Sequence, residues 1–275
     1  MKKRFALILG GPYAGTTGLF RRLATHPQVA GCRVSEPCFF SDDRKWELGL
    51  DWYRTLWDFR EPDDRIAIEA SSEYAGHPLV PCPAARVART PAGFRLIWLL
   101  REPVARIAAW HAARVAEGLA EPVSHVRELD CELVASRYAS QLAAWREYFA
   151  ADDFLLLCFE EWARSPEAVL EQICGFLEIE PAQALPEPGA GPPAQALPEP
   201  DAGPPAQAAQ GRRGRGLGRW LASLRAHGPG PHGTGPAGLP AGVEAALEQE
   251  LAGERERLAD EWGFAPALWR SGGQR

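Results

Sequence analysis

Leu7-Ile8-Leu9-Gly10-Gly11-Pro12-Tyr13-Ala14-Gly15-Thr16-Thr17-Gly18-Leu19-Phe20 is the stretch on which the fold turns. An apolar strand ends in a tight Gly/Pro turn, and the turn opens onto a helix that begins with hydroxyl residues. The first N–H groups of a helix have no intrahelical acceptor. Such a turn therefore aims several N–H groups and the positive end of a helix at one point, which binds an anion, most often a phosphate. Gly10 and Gly15 have the spacing of a Walker loop, but Thr16 stands where its lysine belongs. That argues against an ATPase or GTPase. The plain alternative is a strand–turn–helix without a ligand, because Gly/Pro turns before helices are common.

The chain beyond repeats the same alternation. Residues 65–69, 94–100 and 154–158 are short apolar runs that read as buried strands. Helices are predicted from Glu102-Pro103 to about Glu117, from Tyr138 to Phe149, from Ser165-Pro166 to Leu177 and from Val243 to Trp262. Proline at the first turn loses no hydrogen bond, and Ser165 suits a helix cap. Buried strands separated by helices predict an α/β fold, a parallel sheet covered on both faces.

Residues 181–192 recur as 193–204 with a single difference, Gly189 against Asp201. Two copies of a Pro/Ala-rich unit cannot build a core, so 181–210 reads as an extended, disordered insert. The rest, 1–180 and 211–275, is expected to form a single domain. After the insert comes a basic cluster, Gly211-Arg212-Arg213-Gly214-Arg215.

Composition narrows the function. In 275 residues the net charge is −6 and 46% of residues are hydrophobic, enough for a sizeable core without a broad basic surface. Nucleic acid and anionic membranes are thereby disfavoured as partners. Lysine occurs only at 2, 3 and 45, so arginine carries the basic roles. The six cysteines form no C-x-x-C pair and have no histidine at zinc spacing; they read as reduced and buried, with no metal site. The apolar run after Met1-Lys2-Lys3-Arg4 is too short for export, and no stretch has transmembrane length, so a cytoplasmic protein is expected.

Four stretches in order resemble the sulfotransferases that use 3′-phosphoadenosine 5′-phosphosulfate, above all the heparan-sulfate type and its bacterial relatives. Residues 11–17 (GPYAGTT) resemble the family's 5′-phosphosulfate loop, and 35–40 (SEPCFF) its catalytic-glutamate segment. Residues 99–106 (LLREPVAR) resemble its 3′-phosphate motif, and 138–177 its closing helix–strand–helix. The stretches 49–53 and 68–74 also fit. The resemblance implies a three-layer, P-loop-NTPase-like sheet and no metal. It implies that the N–H groups from Ala14 through Gly15, Thr16 and Thr17 to Gly18, beside Tyr13, hold the donor's phosphosulfate, and that Arg101 forks its 3′-phosphate. Glu36 becomes the base that takes the acceptor hydroxyl's proton. Arg212, Arg213 and Arg215 are candidates to close over the nucleotide. Trp52, Tyr53, Glu69, Ser71 and Tyr74 are candidates for the acceptor cleft, with Trp46 and Trp57 nearby; aromatics in this number also build cores. Arg106 is expected to face solvent or pack on the sheet, with a ligand contact as the lesser alternative, and His26 and His111 are rival bases.

The sequence departs from the family at three points. Tyr13 stands where the family has a cation, Ala109 where it has a serine at the 3′-phosphate, and Ala70 where it has a lysine in the acceptor segment. Sulfo transfer to a hydroxyl therefore stands beside two alternatives: a nucleotide-binding relative without activity, and a P-loop kinase lacking its lysine. The acidic net charge favours a neutral glycan, a lipid or a small metabolite as acceptor over a sulfated polymer.

Overall fold

A computed structural model describes residues 4–59, 65–181 and 238–269. Five strands form one parallel sheet: β1 (Arg4–Leu9), β2 (Val29–Gly31), β3 (Ile66–Ala70), β4 (Gly93–Leu100) and β5 (Phe154–Cys158), in the order β2-β3-β1-β4-β5. In register, Phe5 lies beside Ala67 of β3 on one side and Phe94 of β4 on the other. The order reverses about β1, so the turn after β1 opens at the switch point, where the strands' carboxyl ends leave a crevice.

Both faces of the sheet are apolar, as parallel strands require. Ala6, Ile8, Ile68, Ile97 and Leu99 pack with Leu19 and Leu23 of α1 (Thr16–Leu23) and with Val169, Leu170 and Ile173 of α9 (Pro166–Leu177). On the opposite face Leu7, Leu9, Leu96 and Trp98 meet an aromatic layer of Phe39, Phe40, Tyr53, Trp57 and Trp145. Three short helices come next: α2 (Asp43–Glu47), α3 (Gly49–Arg54) and α4 (Ala84–Arg89). Then follow α5 (Pro103–Ala116), α6 (Asp130–Val134), α7 (Tyr138–Arg146) and α8 (Phe159–Arg164). The last helix, α10 (Ala241–Trp262), ties its Glu254 to Ser140 of α7 at 2.6 and 3.0 Å and its Arg255 to Glu102.

The predicted α/β architecture is thus the observed one: three layers around a parallel, P-loop-like sheet. Helix ends fall where local chemistry sets them. Pro103 opens α5 while Glu102 accepts from the N–H groups of Val104 and Ala105 at 3.2 and 2.7 Å. The helix predicted to reach Phe149 ends as an α-helix at Arg146. All six cysteines are free, and only Cys82 is not buried. Among the described residues no helix is long and apolar enough to cross a membrane, and no cluster of His, Cys, Asp or Glu could hold a metal ion. The Pro/Ala repeat beyond Pro181 lies outside the described residues, as do Arg212, Arg213 and Arg215.

Candidate active site at the carboxyl edge of the sheet

The turn after β1 is built for close approach. A Cβ on Gly10 would come within 2.7 Å of the Leu99 carbonyl oxygen. Gly15 caps α1 at φ +92°, and a Cβ there would sit 2.5 Å from the Phe159 ring. Only glycine satisfies both demands at position 15. Of the five N–H groups predicted to cradle an anion, two are used by the turn itself: Ala14 donates to the Gly11 carbonyl at 3.1 Å and Gly18 to that of Gly15 at 3.1 Å. The N–H groups of Gly15, Thr16 and Thr17 have no protein acceptor among the described residues. Ala14 and Gly18 shape the turn instead, because its tight radius folds their N–H groups back onto its own carbonyls.

Arg101 directly follows β4, beside this turn. Its Nη1 donates to the Tyr13 carbonyl at 3.1 Å, and its guanidinium lies 4.8 Å from the centre of the Phe159 ring. The Tyr138 hydroxyl donates to the Arg101 carbonyl at 2.9 Å, fixing the strand end. Burial pulls the Arg101 pKa down, opposed by the charge of Glu160. Loop and arginine thus share one edge of the sheet. The Tyr13 side chain takes another course. Its ring leans on Val80, Trp110, Cys131 and Ala135, and burial with the nearby Glu117 charge raises its phenol to about 12. Tyr13 stays neutral, so it supplies none of the charge of the cation it replaces.

Glu36 sits in a sharply turned segment after β2, at φ +51°, with Cys38 at φ +52°. Side chains at such angles are strained unless their surroundings hold them. Here Cys38 N–H donates to Ser71 Oγ at 3.0 Å, and Lys45 Nζ donates to the Pro37 carbonyl at 2.7 Å. Glu36 Oε2 accepts from Ser72 N–H at 2.6 Å and Ser72 Oγ at 2.9 Å. Ser72 follows the end of β3, so the carboxylate stands at the same sheet edge as the loop. Burial raises its pKa to about 7, with the Glu73 and Glu69 charges adding and the Ser72 hydrogen bonds opposing. A carboxylate that exchanges its proton near neutrality suits a general base.

The acceptor-cleft assignments of Tyr53, Glu69, Ser71 and Tyr74 are corrected. All four are buried. Glu69 Oε1 accepts from the Tyr53 hydroxyl at 2.7 Å and the Tyr74 hydroxyl at 3.1 Å, while Oε2 accepts from Ser71 Oγ at 2.7 Å. A buried carboxyl must be hydrogen-bonded, and these hydroxyls do it. Burial raises the Glu69 pKa. The network braces the Glu36 turn from behind, since Ser71 and Tyr74 also accept from the N–H groups of Cys38 and Phe40. Trp57 belongs to the same core, and Trp46 and Trp52 pack half-buried against Phe39.

Neither histidine is placed as a base. His26 Nε2 lies 3.1 Å from the Glu180 carbonyl at the far end of α1, and His111 is buried on α5 beside Glu132. Arg106, expected to face solvent or pack on the sheet, is held in the interior instead of in solvent. It is fully buried, with Nη1 donating to the Pro12 carbonyl at 2.9 Å and Nη2 to the Glu132 carbonyl at 2.8 Å and Ser136 Oγ at 2.5 Å. Only its position one turn into α5, after the loop-facing Arg101, hinted at it.

Residues 84–183 match the Sulfotransferase family. Human heparan sulfate glucosamine 3-O-sulfotransferase 6 is 30% identical over 191 residues, 65% of this chain and 54% of that protein. The chain spans about half the length of the curated relatives it matches. A sulfotransferase from Alicyclobacillus acidocaldarius has the same fold at TM-score 0.68 and 19% identity, covering 98% of this chain and 99% of that one. The sulfotransferase domain of the Synechococcus PCC 7002 olefin synthase superposes at TM-score 0.52 and 19% identity, covering 92% and 96%.

Proposed function

We propose that this sulfotransferase-family chain moves a sulfo group from 3′-phosphoadenosine 5′-phosphosulfate to an acceptor hydroxyl, with Glu36 as the base. The observation that carries the reading is the position of Glu36, a carboxylate with a pKa near 7 at the same sheet edge as the anion loop. The Gly15, Thr16 and Thr17 N–H groups would hold the phosphosulfate, and Arg101 the 3′-phosphate. In the reaction the sulfur–oxygen bond to the donor phosphate breaks and a bond to the acceptor oxygen forms. The acceptor proton passes to Glu36, and 3′,5′-adenosine bisphosphate leaves. Like phosphoryl transfer, this chemistry asks for positioning and charge stabilisation more than covalent help.

The acceptor is proposed to be a neutral glycan, lipid or small metabolite. Glu73 beside Glu36, with Ser41 donating to it at 2.7 Å, makes this side of the site unfavourable to a polyanion. The test is transfer of labelled sulfo groups from the donor to a panel of such acceptors, against sulfated polysaccharide. Transfer is expected to continue unchanged in a metal chelator. Calorimetry should show 3′,5′-adenosine bisphosphate binding without magnesium and more tightly than ATP. Magnesium-dependent ATP binding in its place would support the kinase reading.

The pH profile follows from Glu36. As a base it works only when ionised, so kcat/KM should rise about tenfold per pH unit below its pKa and level off above about 7. Glu73 raises that pKa by like-charge repulsion, so Glu73→Gln should move the rising limb to lower pH. A rate independent of pH between 5.5 and 8 would exclude Glu36 as the titrating base.

A further inference from the structure

The loop from Gly10 to Phe20 contains no lysine or arginine, yet two guanidiniums meet it. Arg101 takes the Tyr13 carbonyl and Arg106 the preceding carbonyl, that of Pro12. Arg106 also lies directly under Gly11, where a Cβ would come within 2.9 Å of its Nη1. The partners of Arg106 are all neutral: two backbone carbonyls, the Ser136 hydroxyl, the Tyr138 hydroxyl and the Trp110 ring, whose centre lies 5.5 Å from the guanidinium. No carboxylate stands within ion-pair distance of it among the described residues, and its buried Nε has no partner. The nearest acid by sequence contact, Glu132, gives its side chain to Arg114 and only its carbonyl to Arg106. A fully buried charge without an opposite charge is expensive to keep. The charge is felt at Arg101, whose pKa Arg106 helps to lower. Two like charges thus flank a loop that has no charge of its own.

We infer that Arg106 is a positioning residue whose buried charge is balanced only when an anion rests on the loop. It pins the Pro12 carbonyl away from the ligand and supplies from beneath the positive potential that the loop's own sequence lacks. The inference rests on the reading of the loop as the donor site, and it concerns any pyrophosphate-like ligand there, with or without transfer.

The test measures binding of inorganic pyrophosphate and of 3′,5′-adenosine bisphosphate by calorimetry to the wild type, Arg106→Lys and Arg106→Gln, with thermal midpoints of the free proteins recorded in parallel. A charge-assisted hydrogen-bond network implies that Arg106→Gln loses about 100-fold in affinity for both ligands, and Arg106→Lys, which keeps the charge but not the fork, about 10-fold. A purely structural role would lower the thermal midpoint and leave the dissociation constants of the folded variants within twofold of the wild type; that result overturns the inference. If Arg106→Gln does not fold, Arg106→Lys decides by the same criterion. A wild type that binds neither ligand would instead overturn the reading of the loop on which the inference stands.

Discussion

Glu36→Gln is expected to lower kcat for sulfo transfer by about 100- to 10,000-fold, the usual contribution of a positioned general base. Glutamine keeps the shape and still accepts the two Ser72 hydrogen bonds at its carbonyl oxygen, so the turn at φ +51° should survive. What it cannot do is take a proton. Binding of 3′,5′-adenosine bisphosphate should therefore match the wild type. Stability supplies a second readout. The Glu36 pKa is about 7 in the folded chain, above the 4.5 of an unperturbed carboxyl. Between those values the folded state holds the extra proton, so this group makes stability fall as pH rises from about 4.5 to about 7. Glu36→Gln removes that penalty. Its thermal midpoint should equal the wild type's at pH 4 and exceed it at pH 8. Wild-type turnover in the variant would remove Glu36 from the reaction.

Gly15→Ala is expected to abolish nucleotide binding in practice, by about 100-fold or more, and to destabilise the fold. A residue with a Cβ at φ +92° costs about 1–2 kcal/mol, and the overlap with the Phe159 ring at 2.5 Å adds about 1–3 kcal/mol. Relief of either strain shifts the first turn of α1 and with it the N–H groups of Gly15, Thr16 and Thr17. Gly49→Ala is the matched control: φ is +78°, but nothing lies within 4 Å of its Cβ position. It should cost about 1 kcal/mol and leave nucleotide affinity unchanged. Equal affinity in the two variants would show that the loop is not the anion site.

The two variants probe different origins. Gly15 was legible because the need for glycine is local: an apolar strand, a turn and a helix start follow each other without a break. The strands at 66–70, 93–100 and 154–158 were legible for a similar reason, being apolar runs cut off by polar or turn residues. Tyr53, Ser71 and Tyr74 misled because a polar tip on an apolar body reads equally as a cleft wall and as a core residue. Glu69 gave no clue either, since β3 is buried on both faces and the usual alternation carries no information there.

The family resemblance alone singled out Glu36; the sequence by itself determined four of the five strands, the long helices and the strand–turn–helix at the first crossover. These depend on neighbours a few residues away, where chain geometry leaves few choices. Only the tertiary structure decided that Glu69 is a brace behind Glu36 and that Arg106 is a buried charge beneath the loop. The physical reason is reach. Glu69 is enclosed by the hydroxyl of Tyr53, 16 residues earlier, together with those of Ser71 and Tyr74 just beyond β3, and Arg106 is sealed from water by Glu132 and Ser136, 26 and 30 residues further along the chain. Burial of a charge is a property of what packs around it, and no local pattern carries that.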